Sequence, residues 1–109
     1  MKIKPLSEYP KIISTIADLK YNRGGVYFIY SPEGVLQYIG ESATVASRIR
    51  SHNVLKGIDM SNWKVEVIRA DDYGKRRRLE YKGITSLNPP RNKRYLVPSR
   101  PGRKTDDCL

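Results

Sequence analysis

The sequence predicts a small α/β domain, a three-stranded antiparallel sheet with helices packed on it. Three observations carry this. Apolar residues change their spacing along the chain in the order helix, strand, strand, helix, strand, helix. Two of the strand-like runs flank a short turn containing Pro and Gly, which makes them an antiparallel hairpin. The 109 residues, 39% hydrophobic, suffice for one modest core and leave no room for a second stable domain.

The first expected element is a helix over residues 8–20 (EYPKIISTIADLK). Ile12, Ile13, Ile16, Ala17 and Leu19 stand at helical spacing, and Pro10 suits an early helical position. Asn22-Arg23-Gly24-Gly25 breaks it. Residues 26–30 (VYFIY) are β-branched and aromatic, as are 35–39 (VLQYI) in part, and Ser31-Pro32-Glu33-Gly34 turns between them. Residues 42–55 read as a helix with Ser42 as candidate N-cap. Residues 63–69 (WKVEVIR) alternate Trp63, Val65 and Val67 on one face, as a third strand should. Asp71 or Asp72 caps a last helix over about 73–87, which Asn88-Pro89-Pro90 ends. The domain is thus expected to span 1–92, with 1–23 as a helical extension and 93–109 as a flexible basic tail.

Charge narrows the function classes. Twenty-one Lys and Arg face 11 Asp and Glu, a net charge of +10, which favours a polyanionic partner. Cys108 is the single cysteine, so neither an internal disulfide nor a four-ligand zinc finger is possible, and no disulfide-linked partner is expected. No apolar run reaches membrane-span length, and the N-terminus lacks the apolar stretch of a signal peptide. The expected setting is intracellular, cytosolic or, in a eukaryote, nuclear.

Local patterns suggest where chemistry could sit, each with an ordinary alternative. If the hairpin turn centres between Pro32 and Glu33, Tyr27 lies opposite Tyr38 and two phenols share a face. A bulge at Gly34 would slip the register by one and separate them, and tyrosine is in any case a good strand residue. Arg48 and His52 are four apart on one helical face, with Val45 and Ile49 alongside. A helix beginning early would add Glu41. Arg48 there is either packed and aimed at a phosphate or simply solvated. In the last helix Tyr73, Arg76 or Arg77, Glu80, Ile84 and Leu87 follow one stripe. Glu80 on an inward face needs a partner, either a divalent metal or an internal salt bridge to Arg76 or Arg77. The run Lys75-Arg76-Arg77-Arg78 is solvated helix surface or a generic nucleic-acid contact.

Gly25-Val26-Tyr27 followed by Tyr38-Ile39-Gly40 resembles the two signature tripeptides of the GIY-YIG nucleases, the first with Val for Ile. The resemblance continues in order. Arg48 falls ten residues after Tyr38, at the place of the family's catalytic arginine, and His52 four later, where many members carry His or Tyr. Glu80 matches the metal-binding glutamate of the last helix. Asn92, twelve residues on, closes a Pro-rich Asn element. The matched module runs over about residues 24–92.

The resemblance implies an intracellular DNA endonuclease using one Mg²⁺ or Mn²⁺ per active site and nicking one strand at a time. Glu80 would hold the metal, and Arg48 would offset charge on the phosphate. Tyr27 would be the general base for the attacking water, and Tyr38 would orient the water or Tyr27. His52 would relay a proton, and Asn92 would brace the site. Lys75, Arg76, Arg77, Arg78, Arg91, Lys93 and Arg94 would supply nucleic-acid contacts. A compact member of this kind suggests a phage or mobile-element protein. Two departures stand out. Glu41 follows the second tripeptide where small or basic residues are usual, and Gly83 interrupts the last helix. The competing readings are a catalytically inactive DNA-binding module of the same fold and a basic RNA-binding structural protein.

Overall fold

The computed structural model describes residues 4–51 and 62–92. After a 3-10 turn at Leu6–Glu8 the elements are β1 (Ile12–Thr15), β2 (Gly25–Tyr30), β3 (Leu36–Ser42), α1 (Val45–Arg50), β4 (Lys64–Arg69) and α2 (Tyr73–Leu87). The four strands form one antiparallel sheet in the order β1-β4-β2-β3. The α+β class is as expected, but the sheet has four strands rather than three.

The additional strand replaces the expected N-terminal helix. Residues 12–15 are Ile-Ile-Ser-Thr, three β-branched residues and a serine, which lose rotamer freedom or compete for backbone bonds in a helix. The open edge of β4 offers them a ladder instead, from Ile12↔Val67 to Thr15↔Lys64. Of the residues that suggested a helix, Ile16 and Leu19 are buried, whereas Ile13 is 67% exposed.

Each face of the sheet carries its own core. Tyr27, Ile29, Tyr38, Val65, Val67 and Trp63 pack with Val45, Ala46 and Ile49 of α1 on one side. Val26, Phe28, Ile39 and Ile68 pack with Leu79 and Ile84 of α2 on the other. Covered on both faces, β2 is apolar along nearly its whole length. The one-sided alternation of Trp63, Val65 and Val67 is as predicted.

The hairpin register differs from the simple expectation. The turn closes with Ser31 N–H donating to Val35 O at 2.9 Å, while Gly34 takes φ +86°. Tyr30 therefore pairs with Leu36. The register shifts again between Ile29 and Tyr30, skipping Gln37, so that Ile29 faces Tyr38 and Tyr27 faces Gly40. Two single-residue slips add to two, and side chains alternate with period two, so the tyrosines keep a common face as diagonal neighbours.

At the ends of α2 the expectations hold. The Asp72 carboxylate accepts from Lys75 N at 2.8 Å, and Asn88 ends the helix in the left-handed region, φ 52°. Its inward stripe is rotated from the predicted one. Arg76, Leu79, Glu80, Gly83 and Ile84 are buried, while Tyr73 and Leu87 are exposed. Gly83 finds a reason here: a Cβ at this position would lie 3.0 Å from Ile39 Cδ1, a close approach that the absence of a side chain relieves.

Beyond α2 the chain folds back along the outer edge of β3. Arg91 N donates to Gln37 O at 3.1 Å. The buried Asn92 amide then meets a single residue twice, Oδ1 accepting from Ile39 N and Nδ2 donating to Ile39 O, both at 2.8 Å. One side chain thus does what a neighbouring strand would do. Asn92→Ala should lower unfolding free energy by about 2–4 kcal/mol, because it strands two buried backbone groups; urea denaturation measures it. Gly40→Ala should be destabilising by about 1–3 kcal/mol, since its methyl would overlap the Tyr27 ring, where the Cζ atom lies 2.5 Å from the Cβ position. A thermal melt no lower than that of the wild type would contradict this.

Candidate active site

The site is built around Tyr27. Its side chain is fully buried at the sheet centre, and its ring runs over Gly40 to the edge strand β3. Tyr38 lies beside it, with ring centroids 6.3 Å apart and planes inclined by 34°. The two phenols that the sequence could place together or apart are together.

Arg48 reaches the same hydroxyl from α1, hydrogen-bonding to the Tyr27 phenol. Two residues separate its helix from the end of β3, so the expected cap, Ser42, is still strand; its Oγ accepts from Thr44 N at 2.9 Å. Thr44 in the N-cap position makes no side-chain cap. The work falls to a distant segment. Arg23 O accepts from Val45 N at 3.1 Å, and the Asn22 amide exchanges two hydrogen bonds with Ser47, the residue before Arg48. Leu19 O also accepts from Arg50 at 3.0 Å. Buried Val45 and Ile49 press the helix onto the sheet. Arg48 is thereby aimed although it stands on the exposed side of α1.

Glu80 approaches from α2, buried to 8% exposure, and its charge acts on the Tyr27 phenol. The salt bridge expected as an alternative exists in weak form, with Arg77 Nε 3.7 Å away and Arg77 itself half exposed. Arg76 does not join it. That guanidinium is buried and donates to Glu41 Oε1 at 2.9 Å, to Asp71 O at 2.7 Å and to Ala70 O at 3.3 Å. Arg76 is thus corrected from a nucleic-acid contact to an interior one, because it is buried and its Nε and Nη1 donors are bound inside the domain. Glu41 is likewise corrected: it belongs to β3, not to an early start of α1.

Of the other predicted contacts, Arg77 and Arg78 lie on the exposed side of α2. Arg77 also donates to the Tyr73 hydroxyl at 3.0 Å. Lys75 is half-buried with its ammonium 5.4 Å from the Tyr9 ring centre. Arg91 is half-buried against Gln37. Asn92 sits behind Ile39, the middle residue of the second tripeptide. His52, Lys93 and Arg94, with the tail 93–109, lie outside the described residues.

The electrostatics of Tyr27 follow from this placement. Burial pushes the phenol far above its ordinary pKa. Arg48 opposes the rise through its charge and its hydrogen bond, while Glu80 and Glu41 add to it. Burial wins, so Tyr27 is a neutral phenol near pH 7. Among the described residues no three His, Cys, Asp or Glu side chains gather as a cage. Glu41 is engaged by Arg76 at 2.9 Å and Glu80 by Arg77 at 3.7 Å; the longer pairing to a half-exposed arginine makes Glu80 the carboxylate better suited to a hard cation. A site with one protein carboxylate fits an ion that keeps waters and takes substrate phosphate oxygens as further ligands.

Three contributors were not read from the sequence. Asn22 looked like a helix breaker, and its pairing with Ser47 crosses 25 positions with no periodic signal. The Arg76–Glu41 pair crosses 35 positions. Gly40 was noted only as the third letter of a tripeptide, although its lack of a side chain is what admits the Tyr27 ring.

No helix among the described residues is long and apolar enough to cross a membrane. A comparison with curated proteins gave no match. The family model described as the GIY-YIG catalytic domain matches residues 23–95. That span contains both tyrosines, the arginine and the glutamate around Tyr27, together with the asparagine that backs Ile39. The chain belongs to the GIY-YIG catalytic-domain family, a family of nucleases whose substrates are nucleic acids.

Proposed function

We propose that this domain is a metal-dependent DNA endonuclease that hydrolyses phosphodiester bonds one strand at a time, with a single site per copy. The observation supporting it most directly is the gathering of Arg48, Glu80 and Tyr38 around the Tyr27 hydroxyl. A guanidinium suits the charge that grows on phosphate oxygens in the transition state, and that is the role given to Arg48. Tyr27 takes the proton of the attacking water, and Tyr38 orients it. Bound at Glu80, Mg²⁺ or Mn²⁺ would polarise a phosphate oxygen and stabilise the departing 3′ oxygen. Asn92 keeps Ile39, and with it the strand carrying Tyr38 and Gly40, in register. Lys75, Arg77, Arg78, Arg91, Lys93 and Arg94 supply contacts to the DNA backbone. His52 serves as a proton relay.

The test is supercoiled-plasmid nicking in Mg²⁺. Glu80→Ala should abolish nicking, as EDTA should for the wild type, while duplex binding persists; normal cutting by this variant removes Glu80 from the mechanism. Arg48→Lys should cut about 10²-fold more slowly, because a point charge does not reproduce the fork.

The pH dependence follows from the raised pKa of Tyr27. Below a raised pKa the phenolate fraction is small and grows tenfold with each pH unit. Single-turnover nicking should therefore speed up about tenfold per unit from pH 6.5 to 9. Tyr27→Phe should lose at least about 10²-fold in rate together with this slope. A rate in Tyr27→Phe that still follows the wild-type profile would deny Tyr27 the role of base.

A further inference from the structure

Glu41 is where this chain departs from the usual pattern after the second tripeptide, and it sits on β3 immediately after Gly40. Its charge is felt at the Tyr27 phenol. A second carboxylate beside a site that must admit a phosphate backbone is repulsive unless it is cancelled. Arg76 cancels it at 2.9 Å, with side chains only 8% and 16% exposed for the arginine and the glutamate. The same guanidinium is bolted to the Ala70 and Asp71 carbonyls, and the Tyr73 ring lies 5.6 Å from it. A lysine has no fork with which to hold these three acceptors at once. Glu80 stands one turn further along α2, on the same inward stripe.

We propose that Arg76 is a positioning residue: it neutralises Glu41 at the rim of the site, so that this second carboxylate neither repels the phosphate backbone nor disturbs the first turn of α2, from which Glu80 is presented to Tyr27. This rests on the nuclease reading for its activity readout but not for its binding readout. Arg76 and Glu41 form one unit, and a chain with neither charge serves as well as one with both.

The experiment is a double-mutant cycle of the full chain: wild type, Glu41→Gln, Arg76→Gln and the double variant. Each is followed by thermal melting, by kcat and KM for plasmid nicking, and by Kd for a duplex. Arg76→Gln in the wild-type background should lose at least about tenfold in kcat/KM, and its half-saturating Mg²⁺ concentration should rise. Removing one partner of a buried pair is strongly destabilising, so that variant alone does not decide the matter. The deciding comparison starts from Glu41→Gln. There, with no carboxylate to cancel, adding Arg76→Gln should cost less than about threefold in kcat/KM and in Kd. An equal loss in both backgrounds overturns the proposal. So does a drop of about 0.9 in the salt slope of duplex binding on adding Arg76→Gln to Glu41→Gln, which would mark a direct phosphate contact. If the wild type binds DNA without cutting it, the assigned activity fails, and the Kd cycle still decides whether Arg76 cancels Glu41.

Discussion

The close passage of the Tyr27 ring over Gly40 is the constraint on which the rest of the site depends. Tyr27 is anchored on the central strand β2, whereas Glu80 belongs to the helix on the opposite face. A phenol rooted in one layer comes under the charge of an acid rooted in the other by reaching toward the sheet's edge. The missing side chain at position 40 gives it a lane. The register supplies the rest, since the net shift of two residues puts Gly40, rather than Tyr38 or a residue of the opposite face, beneath the ring.

Around that lane the three layers have separate tasks. The α1 layer supplies a cation and is held by the loop before β2, through Asn22 and Arg23. The α2 layer supplies an acid and is held by Arg76 at its first turn and by the close seat of Gly83 further along. The sheet supplies the phenols. Charges from both helices act on one buried hydroxyl, and desolvation outweighs them, so the phenol is kept neutral by its surroundings rather than by a single partner.

The central elements were legible because local and long-range preferences agree there. β2, β4 and α2 were bounded within a residue or two by period, turn residues and the Asp72 cap. Tyr27, Tyr38, Arg48 and Glu80 were singled out through their order along the chain; Tyr38 lies beside Tyr27, and the charges of Arg48 and Glu80 act on the Tyr27 phenol. The N-terminal strand was misread because Ile12, Ile16 and Leu19 satisfy a helical pattern equally well, and only the unpaired edge of β4 decides between the two. Arg76 was misread because a basic run carries no sign of which member turns inward. That is settled by Glu41, 35 residues away. The hairpin register was misread because two irregularities, at Gly34 and at Gln37, each move it by one residue.

The double engagement of Ile39 by Asn92 has a consequence beyond bracing. An edge strand with bare amide and carbonyl groups is a template on which another chain can zip up. Here the middle of that template is occupied by a plug from within the same molecule. Peeling the plug away would uncover a sticky seam and loosen the bed of the phenols in one event. Self-association and loss of the site's geometry would then share a single trigger, and selection against aggregation would protect the site as a by-product.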